Sequence, residues 1–203
     1  MSYPDPLTDR LLTAENAALL VLDFQPAQIR SVATIDQERL VENAATLCRA
    51  ARLFSLPVIL STLKLSNDPG PIVPQVAEIA PDAPRIARTT LNPWEDDRFF
   101  DAVTAAGRRK LVFAGLWSEA ALSFAVLSAI QDGYEAYTVV DAIGGTSDLA
   151  HAAALSRMSE AGANQTSCVQ LICELQRDCG RTATVDAFLG LLSAITGLKT
   201  SGA

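Results

Sequence analysis

Two residues of opposite charge stand at the ends of short apolar segments, where they could take part in acid/base chemistry. Asp23 follows the apolar run at residues 18–22 and precedes Phe24, so its carboxylate lies at the edge of an apolar core. Burial there raises the pKa of a carboxyl group unless a cation or donor compensates, and either result suits a general acid or base. Arg88 ends a second predicted strand and could pair with a carboxylate or with an anionic substrate group. The alternatives are a turn cap for Asp23 and a surface ion pair for Arg88.

The segment GLWSEAAL at residues 115–122 joins a predicted strand to a predicted helix. The first backbone N–H groups of such a helix lack partners and can form an anion site or an oxyanion hole. No G-x-S-x-G motif is present, so Ser118 is predicted to cap the helix, and a nucleophilic pair with the distant His151 has little support. Gly144 and Gly145 fit no phosphate-binding glycine motif and predict a tight turn.

The composition fits one medium-sized domain, with 203 residues of which 49% are hydrophobic and 19% charged. Sixteen Lys and Arg against 23 Asp and Glu give a net charge of −7, which disfavours nucleic acids and anionic membrane surfaces as partners. The apolar run at residues 17–22 is far shorter than the roughly 20 residues of a membrane span. The N-terminus shows no signal-peptide pattern, so we expect a cytoplasmic protein.

The cysteines and the single histidine do not form a zinc-binding pattern. There is no C-x-x-C pair, and His151 is the only imidazole available. All four cysteines are predicted to be buried small apolar side chains, with the last two on different faces of one helix. They are Cys48, Cys168, Cys173 and Cys179.

Apolar runs and helical periodicities alternate along the chain. Strands are predicted at residues 18–22, 57–62, 85–88, 110–116, 137–141 and 165–169, and helices at 36–53, 97–106, 118–131 and 147–161. Five prolines between residues 65 and 84 predict a long loop that holds at most a short helix at 73–79.

This alternation predicts an α/β fold, a three-layer α/β/α sandwich with a mostly parallel central sheet. Ligands of such sheets bind at the carboxyl ends of the strands. We expect residues 1–203 to form a single domain, with a core at about 14–178 and C-terminal helices at 179–203.

Five segments within residues 14–178 together resemble the isochorismatase-like cysteine hydrolase superfamily, and in particular its small bacterial amidohydrolase branch. They are LVLDFQ at 20–25, IARTTLNPW at 86–94, AGLWSEAAL at 114–122, GYEAYTVVDAIGGT at 133–146 and CELQRD at 173–178. The resemblance implies an isochorismatase-like, Rossmann-like fold. It also implies hydrolysis of a carbon–nitrogen bond in a small amide.

Members of this class typically use an Asp, a Lys and a Cys whose thiolate attacks the amide carbonyl carbon. By resemblance, Asp23 matches the acid/base residue, and Arg88 stands where most relatives have Lys. An arginine remains protonated, so it can support Asp23 electrostatically but cannot shuttle a proton. The resemblance also implies a cis peptide bond between Leu116 and Trp117 and an oxyanion hole framed by Leu116, Trp117 and Ala121.

The position that matches the nucleophile is Ala121, and none of the four cysteines lies at a matching position. Alanine has no nucleophilic atom, so the thiolate route cannot run in this sequence. Three explanations stay open. The chain is a Cys→Ala variant of a working hydrolase, a natural non-enzymatic relative that binds a small molecule or a partner, or a vinyl ether hydrolase resembling isochorismatase proper, with Asp23 as the acid. The otherwise intact motif favours the first.

A pocket for a small-molecule substrate is expected to be shaped by Gln25, Asn92, Trp94, Trp117 and Glu119, although the two tryptophans also suit a core or a subunit interface. His151 matches neither metal ligand of the related nicotinamidases, so no metal is expected, and no cofactor either. The resemblance and the alanine-rich helices at 120–129 and 150–163 predict a homo-oligomer.

Overall fold

The computed structural model describes residues 4–65 and 70–197, which are organised around a six-stranded sheet. The strand order is β3-β2-β1-β4-β5-β6 and every neighbouring pair is parallel, as predicted. The strands are β1 (Ala17–Leu22), β2 (Val58–Leu63), β3 (Arg85–Arg88), β4 (Lys110–Leu116), β5 (Glu135–Gly144) and β6 (Asn164–Thr166). The ends of the predicted domain, residues 1–3 and 198–203, and Pro69 of the predicted loop lie outside the described residues.

Helices cover both faces of the sheet and complete the predicted three-layer α/β/α sandwich. One face carries α2 (Gln37–Phe54), α7 (Cys168–Gln176) and α8 (Val185–Thr196), and the other carries α4 (Asp97–Ala106), α5 (Ser123–Gln131) and α6 (Asp148–Glu160). Two helices are short: α1 (Pro26–Arg30) follows β1, and α3 (Pro74–Ala77) lies within the proline-rich segment, where a short helix was predicted. Among the helices of the described ranges, none has the length and apolarity that a membrane span requires.

Strand β1 lies between two hydrophobic cores and has no face in solvent. Alternate side chains point to opposite faces of a strand, so a strand that is covered on both sides must be apolar throughout. The core beneath α2 receives Ala17, Leu19 and Val21. The core beneath α4 and α5 receives Ala18, Leu20 and Leu22.

Three helix ends coincide with residues that commonly cap helices. The Asp36 side chain accepts a hydrogen bond from the Arg39 amide at the start of α2, and the Ser147 side chain accepts one from the Ala150 amide at the start of α6. Helix α4 ends at Gly107, which adopts a left-handed conformation with φ of 62°.

Two predicted segments near the ends of strands differ in the structure. The predicted strand at 165–169 is wrong beyond Thr166, because the Ser167 side chain caps α7, which begins at Cys168. The predicted helix at 118–131 starts with a π-helical turn, Ser118–Leu122, in which Ala120 has non-helical angles of −126° and −105°.

The burial of the cysteines was predicted correctly for two of them. Cys48 and Cys168 are buried, whereas Cys173 and Cys179 are exposed, which corrects the prediction for that pair. Cys173 lies on the outer side of α7, and Cys179 follows the end of that helix at Gln176, so the two do not share a helix.

Candidate active site

A buried ion pair lies at the carboxyl edge of the sheet. A terminal guanidinium nitrogen of Arg88, Nη2, donates to Oδ2 of Asp23, and the two side chains are 0% and 1% exposed. The register of the strands explains why Asp23 and Arg88 are close, because Leu22 pairs with Ser61 and Leu63 pairs with Arg88. The ends of β1, β2 and β3 therefore lie side by side, and the pair is not a surface contact.

The remaining nitrogens of Arg88 are held by β2 and by the backbone beyond β3. Its Nε donates to Oγ of Ser61 at 3.0 Å, and its Nη1 donates to the carbonyl oxygens of Thr90 and Leu91 at 2.5 and 3.3 Å. The Ser61 hydroxyl in turn donates to the carbonyl of Ile86 at 3.3 Å. The guanidinium is fixed in place and keeps its positive charge.

Asp23 is poised to exchange a proton near neutral pH. Burial raises its pKa from the ordinary 3.8 to about 6, while the charge and the hydrogen bond of Arg88 oppose that rise. Its backbone has a φ of 62°, a region that Asp tolerates better than most side chains. Its second oxygen, Oδ1, is buried with no hydrogen-bond partner among the described residues.

Beside Asp23, the chain turns sharply between β4 and α5. We call residues 116–122 the bend. Its first residue follows Gly115, which pairs with Leu22 of β1, and the peptide bond between Leu116 and Trp117 is cis, at the position that the resemblance implies. Ala121 is 2% exposed within the π-helical turn and presents only a methyl group.

A second polar cluster links the bend to the loop between β5 and α6. Glu119 Oε1 accepts from the amide and the hydroxyl of Thr146 at 3.0 and 2.5 Å, and its Oε2 accepts from the Ser118 hydroxyl at 2.9 Å. Nδ1 of His151 lies 2.9 Å from the same Ser118 oxygen. Ser118 therefore does not cap a helix as predicted, because its hydroxyl is engaged by Glu119 and His151.

The other residues expected to shape a pocket are held in their own hydrogen bonds. Oε1 of Gln25 accepts from the Leu63 amide at 2.8 Å and its Nε2 donates to the Leu63 carbonyl at 3.3 Å, so this side chain extends the edge of β2. The indole nitrogen of Trp117 donates to Oγ of Ser31 at 2.6 Å. Lys64, at the end of β2, has an exposed side chain.

Asn92 and Trp94 lie between α4 and α5. Asn92 donates to the Ser128 hydroxyl at 3.0 Å, and the Trp94 indole donates to Asp132 at 2.7 Å. The Trp94 ring also packs edge-on against three aromatic rings with centroids 5.6–6.2 Å away, those of Phe99, Phe100 and Tyr134. Among the described residues, the side chains of Asn92 and Trp94 form no hydrogen bond with Asp23, Arg88 or the bend, and their role in a pocket stays a prediction.

Comparison with known proteins identifies this architecture. The isochorismatase domain model matches residues 17–170, three quarters of the chain. The chain belongs to the isochorismatase domain family. This isochorismatase-domain chain is 35% identical over 168 residues to a protein named probable hydrolase YcaC from Escherichia coli, covering 82% of this chain and 81% of the relative.

Solved structures of YcaC proteins share the fold. The structure from Pseudomonas aeruginosa, described with hexane-2,5-diol and covalent acrylamide, has a TM-score of 0.88 and 33% identity over 94% of both chains. The E. coli structure, described as an octameric hydrolase of unknown specificity, has a TM-score of 0.87 and 34% identity over 93% of this chain and 92% of the other. The E. coli relative, which is described as a hydrolase, therefore matches nearly the whole of this chain.

Sequence reasoning placed Ser61 and Thr146 in segments at the carboxyl ends of strands but gave them no role, and the structure shows that each holds one of the two polar clusters. Ser61 and Thr62 are polar residues inside a strand whose other residues are apolar, and this interruption is a signal in the sequence. The glycine at position 145 is a second signal in the sequence. The structure shows why a glycine is needed there, because a Cβ would lie 2.6 Å from the Ser118 hydroxyl and 2.9 Å from Oε2 of Glu119. In the described part of the chain, no three His, Cys, Asp or Glu side chains gather as a metal site.

Replacing Arg88 with Met should destabilise the protein more strongly at pH 8 than at pH 5. The folded protein binds the Asp23 proton more tightly than the unfolded chain, so this stabilising contribution is complete below pH 3.8 and is lost as the pH rises through about 6. Without Arg88, an ionised Asp23 is buried unpaired at pH 8, at a cost of about 3–5 kcal/mol, but at pH 5 it is protonated. Thermal unfolding at matched protein concentration measures the difference.

Arg85→Met is the matched control, because Arg85 lies on the same strand with its side chain exposed. It should leave the Tm nearly unchanged at both pH values. An Arg88→Met protein whose loss of Tm is the same at pH 5 and pH 8 would contradict the pairing with Asp23.

Proposed function

We propose that this chain carries the acid/base half of a hydrolase site for the carbon–nitrogen bond of a small amide. The observation that carries the proposal is Asp23, which is buried against Arg88 at the carboxyl edge of the sheet with its Oδ1 unpartnered among the described residues. Such a carboxylate can take a proton from a nucleophile and pass it to the leaving amine. Arg88 keeps the carboxylate oriented and offsets its charge.

The bend supplies the second element of the proposed site. Backbone N–H groups of Trp117 and Ala121 would stabilise the oxyanion that forms when a nucleophile attacks the amide carbon. The relatives support this chemistry, since E. coli YcaC is described as a hydrolase and the P. aeruginosa protein carries covalent acrylamide. Acrylamide reacts with a nucleophile by addition to its alkene carbon, which leaves the amide bond intact, so the adduct favours a reactive nucleophile in that relative and does not itself report amide hydrolysis.

Ala121 makes the proposed site inactive toward amides as it stands. Its methyl group is buried in the bend and cannot form the covalent intermediate. We propose that position 121 is the nucleophile position of this chain and that a thiol there completes the site. The surrounding residues are consistent with a Cys→Ala variant of a working hydrolase.

Ala121→Cys should therefore create amide hydrolysis where the present chain has none. We expect ammonia release from at least one amide of a panel of small primary amides to exceed that of the Ala121 protein by about 100-fold or more, because a missing nucleophile costs orders of magnitude in rate. A coupled assay for ammonia measures the rate. Adding Asp23→Asn to the Ala121→Cys protein should abolish the gain, whereas Lys64→Met, which changes an exposed side chain, should preserve it.

Two results would oppose the proposal. Ammonia release that is equal with and without the thiol would show that position 121 is not the nucleophile position. If neither protein released ammonia from any amide of the panel, the chain would be better explained as a non-enzymatic relative. Binding of a small molecule or partner that is not consumed would then support that explanation.

Asp-dependent hydrolysis of a vinyl ether is a second candidate function. The pKa of Asp23, raised by burial to about 6, gives a proton donor that is partly protonated near neutral pH. Protonation of a vinyl carbon needs a positioned acid and no thiol, and the carboxyl group of Asp23 is the acid that this second function would use.

For this second function, the Ala121 protein itself should consume isochorismate. The rate should fall as the pH rises through about 6, because the acid form of Asp23 is lost. Asp23→Asn should lower turnover by about 100-fold or more, and absorbance or chromatography of the product checks it. Turnover that survives in Asp23→Asn would exclude Asp23 as the acid.

We also propose that the chain forms a homo-oligomer. E. coli YcaC, which covers 93% of this chain in the structural match, is described as octameric. Light scattering coupled to gel filtration should give a mass of several times the 21.5 kDa of one chain. A mass equal to one chain at micromolar concentration would contradict this expectation.

A further inference from the structure

The polar cluster around Glu119 ties together two segments that the chain brings from far apart. Glu119 lies in the bend, and both of its carboxylate oxygens accept hydrogen bonds, from Thr146 on the loop after β5 and from Ser118 within the bend. Ser118 is 0% exposed, and its oxygen also contacts His151 near the start of α6. A carboxylate at position 119 thus connects the bend, the loop at 145–147 and α6.

Counting protons fixes the direction of each hydrogen bond. An ionised Glu119 can only accept, so the Ser118 hydroxyl hydrogen must point to Oε2. The Ser118 oxygen then has only lone pairs to offer His151, and the close ring nitrogen, Nδ1, must carry a hydrogen. A neutral His151 in this tautomer has an unprotonated Nε2, which is a hydrogen-bond acceptor and a base.

The charge states of both groups are consistent with this assignment. Burial opposes ionisation of Glu119, but its hydrogen bonds from Thr146 and Ser118 hold the pKa below the usual range. Burial lowers the pKa of His151, while the negative charges of Glu119 and Asp148 oppose that change. Glu119 is therefore ionised and His151 neutral at neutral pH.

The loop backbone at Gly145 packs closely against these side chains. A Cβ on Gly145 would lie 2.6 Å from the Ser118 oxygen, 2.9 Å from Oε2 of Glu119 and 2.9 Å from Cβ of His151. The loop amide of Gly145 is itself bound to the Thr34 hydroxyl at 3.0 Å. The loop backbone therefore lies directly against the cluster, and the bend cannot shift without breaking these contacts.

We propose that Glu119 is a positioning residue, whose carboxylate ties the bend to the loop at 145–147 and directs the Ser118–His151 hydrogen bond so that His151 presents an unprotonated Nε2. Its importance for catalysis rests on the proposed function, because the bend carries position 121 and the proposed oxyanion-hole amides. The hydrogen-bond direction itself does not depend on that function. Glu119 thereby acts through the backbone it holds, not through contact with substrate.

The single histidine of the chain makes the hydrogen-bond direction measurable. Solid-state ¹⁵N NMR of protein labelled only on histidine reports one imidazole, whatever the size of the assembly. We expect a protonated Nδ1 and an unprotonated Nε2 at pH 8. Glu119→Gln places an amide donor beside Ser118, which turns the hydroxyl toward His151 and should move the proton to Nε2. Glu160→Gln, at an exposed Glu on α6 that also accepts from a serine, should change nothing.

The position of the bend is read from the two tryptophans by the same method. Labelling the indole nitrogens gives a Trp117 signal in the bend and a Trp94 signal outside it. Glu119→Gln should shift the Trp117 signal and leave that of Trp94 in place. Ser118→Ala is the second variant, should Glu119→Gln not fold, and it should abolish the preference for protonated Nδ1.

Catalytic relevance is tested in the Ala121→Cys background with acrylamide as the probe. Glu119→Gln should slow labelling of the introduced thiol by about 10- to 100-fold, since small misplacements of reacting groups have effects of this size, whereas Glu160→Gln should not. Peptide mapping separates the thiol at position 121 from those of the exposed Cys173 and Cys179.

The outcomes of the two proposals can be told apart. If His151 carries its proton on Nε2 in the unchanged chain, or if Glu119→Gln moves neither the tautomer nor the Trp117 signal, the positioning proposal is overturned. If both signals behave as expected but the Ala121→Cys protein shows neither labelling at position 121 nor amide hydrolysis, Glu119 holds the bend as proposed and the hydrolase function fails. Unchanged labelling in Glu119→Gln, with the expected NMR shifts, overturns the catalytic part alone.

Discussion

The ion pair between Asp23 and Arg88 is the interaction on which the rest of the site depends. Two buried charges are stable only when their attraction and further hydrogen bonds offset the loss of water around them. Ser61 and the carbonyl groups of Thr90 and Leu91 supply those bonds to the guanidinium, while one oxygen of Asp23 stays unpartnered within the described part of the chain. The asymmetry leaves a fixed cation and a carboxyl group whose proton can move.

Different parts of the fold hold the two halves of the site. The acid/base half depends on the register of β1, β2 and β3, which aligns the ends of three parallel strands. The bend depends on contacts across β5 and α6, through Glu119, Thr146 and His151. Because the sheet order places β4 beside β1, these two halves meet at one edge, although each is supported by its own set of side chains.

The strands and the charged residues at their ends could be predicted from the sequence because those signals are local, whereas the pairing of Asp23 with Arg88, 65 positions apart, was implied by the family resemblance. An apolar run without polar interruptions, as in β1, is typical of a strand buried on both faces, and a charge at its end points to the carboxyl edge. The Ser118–His151 contact spans 33 positions and depends on how α6 packs, which no periodicity encodes. The exposure of Cys173 and Cys179 was missed for a related reason, since the side of α7 that faces the core is set by tertiary packing.

Local opening of the short edge strand β3 would affect the ion pair between Asp23 and Arg88. Arg88 is the last residue of a four-residue strand that pairs with β2 alone. Edge elements with few hydrogen bonds open locally at a lower free energy than the core of a domain. Each such opening would separate the guanidinium from Asp23 and let water reach the carboxylate. We therefore expect the charged pair to open through local fluctuations of the sheet edge, at a lower free energy than global unfolding requires.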